Sequence, residues 1–137
     1  MKEIAITENH LYQKAYKLGA RAIFRNVAVY VLRDYTAKKQ MKMNPQKQYI
    51  NRVGISVSKK LGGAVERNRA KRIIRAGFAQ AKAYAKMKTG YLIVIAARNG
   101  ADKSDSGQIA SELIKSFTKL GMYADADRSV RAGNEKV

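Results

Sequence analysis

The segment Arg52–Phe78 reads RVGISVSKKLGGAVERNRAKRIIRAGF. It opens as a strand. Val53, Ile55 and Val57 alternate with Arg52, Gly54, Ser56 and Ser58, the two-residue period of a half-buried β-strand. Its outer face is small and polar, which leaves room for a ligand to lie close to the sheet. Lys59–Gly63 is a connection that turns at Gly62-Gly63. From Ala64 to Lys86 the period becomes helical. At about 100° per residue, Ala70, Ile73, Ile74, Gly77, Phe78, Ala81, Tyr84 and Ala85 share one arc. Lys71, Arg72, Arg75 and Lys82, with Asn68 among them, occupy the opposite arc. One face therefore packs on a sheet and the other meets solvent or a partner.

Working outward, Asn9–Leu18 reads as a short helix closed by Gly19. Asn26–Tyr35, rich in Val and Tyr, reads as a strand. Thr36–Lys47 is a basic loop with Asn44-Pro45 as its turn signal. Tyr91–Ala97 (YLIVIAA) is continuously apolar and reads as a central strand covered on both sides. Ser106–Leu120 is a helix with Ile109, Leu113, Ile114, Phe117 and Leu120 at helical spacing. Ser104 or Asp105 caps it, and Gly121 ends it. Residues 1–121 thus form one α+β domain with helices on a small sheet, and 122–137 read as a polar tail.

The charge is uneven. The 137 residues carry 28 Lys and Arg against 10 Asp and Glu, a net charge of +18. Residues 52–86 hold 10 basic groups and a single acid, Glu66. Ordinary solvated helix faces mix signs. Like charges at i, i+4, such as Arg67/Lys71 and Lys71/Arg75, oppose helix formation by a few tenths of a kcal/mol per pair. A polyanion that offsets this repulsion is the simplest account, and nucleic acid is the commonest polyanion. A membrane surface is second, but the apolar face of this helix suits a globular core better. The longest apolar run, Tyr91–Ala97, is too short to span a bilayer.

Catalytic chemistry is harder to place on this chain. There is no cysteine, which suits a reducing cytoplasm and removes thiolate metal sites and a Cys nucleophile. The opening MKEIAITENH has no apolar core of a secretory signal. His10 is the only histidine, so neither a zinc set nor a Ser-His-Asp triad finds its parts. Gly62-Gly63 lacks the frame of a nucleotide-binding P-loop. Tyr12, Tyr16, Tyr30 and Tyr49 are either core residues or stacking platforms for unpaired bases.

The run from Arg52 through Val53-Gly54-Ile55-Ser56-Val57-Ser58-Lys59-Lys60, then Gly62, Ala64-Val65, Arg67-Asn68-Arg69 and Lys71-Arg72, resembles the signature of the bacterial ribonuclease P protein subunit. The resemblance extends over residues 9–120 and takes in Asn9, Tyr12, Lys14, Gly19, Tyr30, Tyr91–Arg98 and Gly100-Ala101. It implies a two-layer α-β sandwich akin to the second domain of ribosomal protein S5. The implied order is α-β-β(-β)-α-β-α, with a left-handed βαβ crossover. It also implies a cytoplasmic ribonucleoprotein that removes the 5′ leader of precursor tRNA. The RNA subunit would carry catalysis, with Mg²⁺ held mainly by RNA. Ser58, Lys59, Lys60, Arg67, Asn68, Arg69, Lys71, Arg72 and Arg75 would face the catalytic RNA. Tyr12, Tyr16, Tyr30, Arg52, Ser56 and Arg98 would belong to a leader-binding cleft. The rival is an S5-like ribosomal or other structural RNA-binding protein, which would share charge and fold but lack that cleft.

Overall fold

The computed structural model describes residues 4–6, 9–34 and 51–123. In chain order the elements are β1 (Ile4–Ala5), α1 (Asn9–Leu18), β2 (Ala20–Ile23), β3 (Val27–Arg33), β4 (Arg52–Ser56), α2 (Ala64–Tyr84), β5 (Tyr91–Ala97) and α3 (Ser106–Lys119). The strands form one sheet in the order β1-β4-β5-β3-β2. β4 pairs parallel to β5, with Gly54 opposite Val94; β3 pairs antiparallel to β5, with Tyr30 opposite Val94. The α+β class is as the sequence implied. β2 fills the optional third strand of the implied order, β1 is an addition to it, and the Thr36–Lys47 loop lies outside the described residues.

β5 is apolar along its length because both its faces are covered. Ile93 and Ile95 join Val27, Val29, Ile74, Ile109, Leu113 and Phe117 in the core beneath α2 and α3. Leu92 and Val94 join Leu11 and Ala15 of α1 on the other face. A strand buried on one side only would have alternated with polar residues.

Helices α2 and α3 approach closely at Gly77. A Cβ there would sit 2.6 Å from Ile109 Cγ2 and 3.0 Å from the Ala110 nitrogen. Ala70, Ile74 and Ala81 complete the buried strip of α2. α3 starts at Asp105, whose carboxylate accepts the Gln108 N–H at 2.9 Å while its own N–H donates to Gln108 Oε1. Of the two expected caps, Asp105 is the one used.

Two expectations from the sequence do not hold. Met122 and Tyr123, placed by sequence at the head of a polar tail, are buried at 1% exposure. Gly121, at φ 71°, reverses the chain after α3 and brings Tyr123 back under α2. There its hydroxyl donates to the Ala81 carbonyl at 2.8 Å. Burial and the neighbouring Tyr84 keep the Tyr123 phenol protonated well above the usual tyrosine range. Tyr84, placed on the core arc, is 61% exposed because it lies in the last turn of α2, where its ring leans on Tyr123 at 5.5 Å.

Gly77→Ala separates two effects of opposite sign. Alanine favours a helix interior by about 1 kcal/mol, but overlap with Ile109 and the Ala110 backbone costs about 1–3 kcal/mol. The overlap is with backbone as well as side chain, so it dominates. Urea unfolding should show a net loss of about 1–2 kcal/mol, and an unchanged or higher midpoint would contradict the close approach.

Candidate nucleic-acid interface

The strand β4 and the helix α2 are joined by a tight turn that is itself basic. Ser58 caps a single 3-10 turn, Lys59–Leu61, its Oγ accepting the Lys60 N–H at 3.0 Å. Lys59 and Lys60 are left exposed. Gly62, at φ 153°, and Gly63 lead into α2. Glu66, the sole acid of the region, turns back to accept the Gly63 N–H at 3.0 Å. Its charge therefore favours the positive end of the helix dipole.

Asn68, Arg69, Arg72 and Arg75 are exposed along α2, and Arg67 and Lys71 are half-buried at its flank. Arg67 Nε donates to the Gly63 carbonyl at 3.3 Å. The side-chain cations of Lys59, Lys60, Arg69, Lys71, Arg72 and Arg75 have no hydrogen-bond or ion-pair partner among the described residues. Cations at a helix N-terminus oppose the dipole as well as each other. The surface therefore gains most from an anion laid along it.

On the other face of the sheet, α1 lies over β3, β4 and β5. Gly54 is buried because the Tyr12 ring occupies the space its side chain would need; a Cβ would overlap the Tyr12 hydroxyl. The small outer face of β4 thus seats a tyrosine at residue 54 rather than leaving it open for a ligand. Burial and the adjacent Tyr16 raise the Tyr12 pKa, so its phenol stays neutral and remains a donor. Tyr16 meets Tyr30 edge to face, with centroids 4.9 Å apart and planes at 76°. Beside them a groove is lined by Asn9, Tyr12, Gln13, Tyr16, Ser56 and Lys71. Lys71 makes this groove continuous with the basic face of α2.

The structure therefore brings Tyr12, Tyr16 and Ser56 together, with Tyr30 against Tyr16. Asn9 and Gln13 are additional, and their helical spacing to Tyr12 and Tyr16 was a readable signal. Arg52 does not join them. It lies four residues from Ser56, about 13 Å along an extended strand. Its guanidinium forks onto Asp34, Nη2 donating to Oδ1 at 2.9 Å and Nε to Oδ2. Asp34 is 3% exposed, so this pair holds the end of β3 to the start of β4 across β5. Arg98 also stands apart, exposed beyond β5 with its Nη1 donating to the Phe24 carbonyl at 2.8 Å.

Among the described residues, no group of three or more His, Asp or Glu side chains could hold a metal ion. Glu66, Asp105 and Asp34 are engaged by Gly63, Gln108 and Arg52. The described residues therefore offer no carboxylate set that fits a protein-held Mg²⁺. Nor is any helix among them long and apolar enough to cross a membrane.

An unopposed basic helix beside a tyrosine-walled groove on an α+β sheet defines a nucleic-acid-binding protein. Comparison with known proteins narrows the class. The family described as Ribonuclease P matches residues 1–121. A ribonuclease P protein component of Clostridium botulinum is 34% identical over 123 residues, covering 90% of this chain and 99% of the relative. One from Geobacillus kaustophilus is 32% identical over 88% of each. The solved Staphylococcus aureus RNase P protein superposes with a TM-score of 0.67 at 30% identity, over 89% of this chain and 99% of that one. The Thermotoga maritima RNase P protein, at 21% identity and a TM-score of 0.56, shares the fold. The chain belongs to the ribonuclease P protein family, the protein components of a tRNA-processing ribonuclease that acts with an RNA partner.

The ion pair gives Arg52 a test that separates anchoring from ligand contact. Removing the guanidinium leaves the Asp34 carboxylate buried, so Arg52→Ala should destabilise the fold by about 3 kcal/mol. Arg52→Lys should recover little of this, because an ammonium cannot make the two-pronged contact. Denaturant unfolding of both variants measures it; wild-type stability in Arg52→Ala would refute the anchoring role of the ion pair.

Proposed function

We propose that this protein assists a catalytic RNA in removing the 5′ leader from precursor tRNA. The partner RNA lies along Lys59, Lys60 and the outer face of α2, and the leader lies in the Tyr12–Tyr16–Ser56 groove. The observation that carries this reading is Lys71, which lines the groove while standing on the basic helix. A strand leaving the RNA surface can enter the groove without crossing a neutral gap.

The division of labour follows from the side chains. Arg67, Arg69, Arg72 and Arg75 neutralise backbone phosphates and so weaken the repulsion between two RNAs brought together. Tyr16, held edge-on by Tyr30, offers a ring for stacking on an unpaired base, a contact worth about 1–3 kcal/mol and tolerant of sequence. Lys71 and Ser56 then face the leader backbone. The bond-breaking groups and the Mg²⁺ that serves them are held mainly by the RNA. The work takes place in the cytoplasm. A structural ribosomal role, the reading that shares this charge, leaves the tyrosine-walled groove without a purpose.

Two measurements test the halves of this reading. In Arg67→Ala/Arg69→Ala, affinity for the partner RNA should fall, and the salt slope should flatten by just under one unit for each phosphate no longer neutralised. An unchanged slope would remove the helix from the interface. In reconstitution at low Mg²⁺, RNA plus this protein should cleave precursor tRNA where RNA alone does not. A photo-crosslinker on the leader should attach near Tyr16, Tyr30 or Ser56; attachment confined to α3 would refute the groove assignment.

A further inference from the structure

A second groove, larger than the tyrosine-walled one, lies elsewhere. With a volume of about 540 Å³, it opens between the β2–β3 turn, the turn after β5 and α3, lined by Arg25, Asn26, Lys103, Ser111, Glu112 and Lys115 among others. Its three cations come from three separate elements, so helical periodicity did not place them side by side. All three are exposed, and none has a hydrogen-bond or ion-pair partner among the described residues. The one lining carboxylate is already engaged: Glu112 accepts the Asn26 N–H at 2.9 Å and the Asn26 amide at 2.7 Å. These two hydrogen bonds hold the β2–β3 turn against α3; Glu112 keeps its charge, which leaves three lining cations against one carboxylate.

Apart from the Glu112 carboxylate, the lining is guanidinium, ammonium, amide and hydroxyl, and it includes no aromatic ring. Such a set suits phosphate oxygens and offers nothing for a base to stack on. Its place in the fold matters equally. β4 and β5 run parallel and β3 antiparallel, so the ends of β4 and β5 and the start of β3 lie at one end of the sheet. Lys59 and Lys60 follow β4, Arg98 follows β5, and Arg25 precedes β3. At about 4.8 Å between strands, this row spans roughly 10–15 Å.

We infer that the groove is a second phosphate site, over which the RNA backbone continues from α2 around the sheet end onto α3. This rests on the RNA-binding reading above. The phosphates belong either to the partner RNA or to the body of precursor tRNA, and the chemistry of the groove is the same for both. Contacts of this kind fix position and carry no sequence preference.

The test is Arg25→Ala/Lys103→Ala/Lys115→Ala, whose side chains are exposed and partnerless, so urea unfolding should match wild type. Two affinities are measured across a salt series: protein for partner RNA, and assembled holoenzyme for precursor tRNA. The Arg67→Ala/Arg69→Ala variant runs alongside. One arm should lose roughly tenfold at 0.1 M salt, with the slope smaller by about one unit for each phosphate no longer neutralised, and the arm that changes names the source. Wild-type affinity and slope in both arms would overturn the groove, whatever the α2 variant does. A loss in the triple variant beside an unaffected α2 variant would instead keep the groove and sink the assignment of the helix.

Discussion

Everything in this molecule depends on how closely α2 can press against α3 and the sheet. Ala70, Ile74, Gly77 and Ala81 give it a narrow, mostly small-sided buried strip, and Ile109 fills the space that a side chain at 77 would take. A narrow strip leaves a wide outer arc, and this protein fills that arc with cations. Magnitudes show why the helix survives. Each like-charged pair costs a few tenths of a kcal/mol, whereas full burial of one large apolar side chain such as Ile74 contributes about 1.5–3 kcal/mol. The core can carry a repulsive face, and that face then stands ready for an anion.

The elements that the sequence made legible are those long enough to show a period. α1, α2, α3 and β4 repeat their pattern, while β3 and β5 show as seven-residue runs rich in apolar residues. β1 has two residues and β2 has four, of which only Ala22 is buried. Neither offers a period to detect; their existence follows from pairing with strands already in place. The burial of Met122 and Tyr123 was hidden for another reason. It depends on a chain reversal at Gly121, and the polar residues beyond it masked two core side chains.

The site was legible in its chemistry and less so in its pairing. A run of unopposed cations on one helical arc needs no structure to be noticed. Whether a given arginine is free cannot be seen from its neighbours in sequence. Arg52 finds Asp34 across a strand that neither belongs to, and so it becomes a cross-link of the sheet. Arg25, Lys103 and Lys115 show the converse: three cations far apart in sequence that share one groove only after folding. The family resemblance narrowed the polyanion to RNA, and the geometry divides the cations and tyrosines between two sides of Lys71.

The empty position at residue 54 sets a dimension of the groove. Because Gly54 has no side chain, the Tyr12 ring settles onto β4, and it lines the groove together with Ser56. Any bulk at 54 would lift that ring and make the groove shallower while leaving every lining residue chemically unchanged. The depth of the groove is therefore governed from beneath, by an atom that is missing, and variation at one glycine can tune that depth without altering a single lining group.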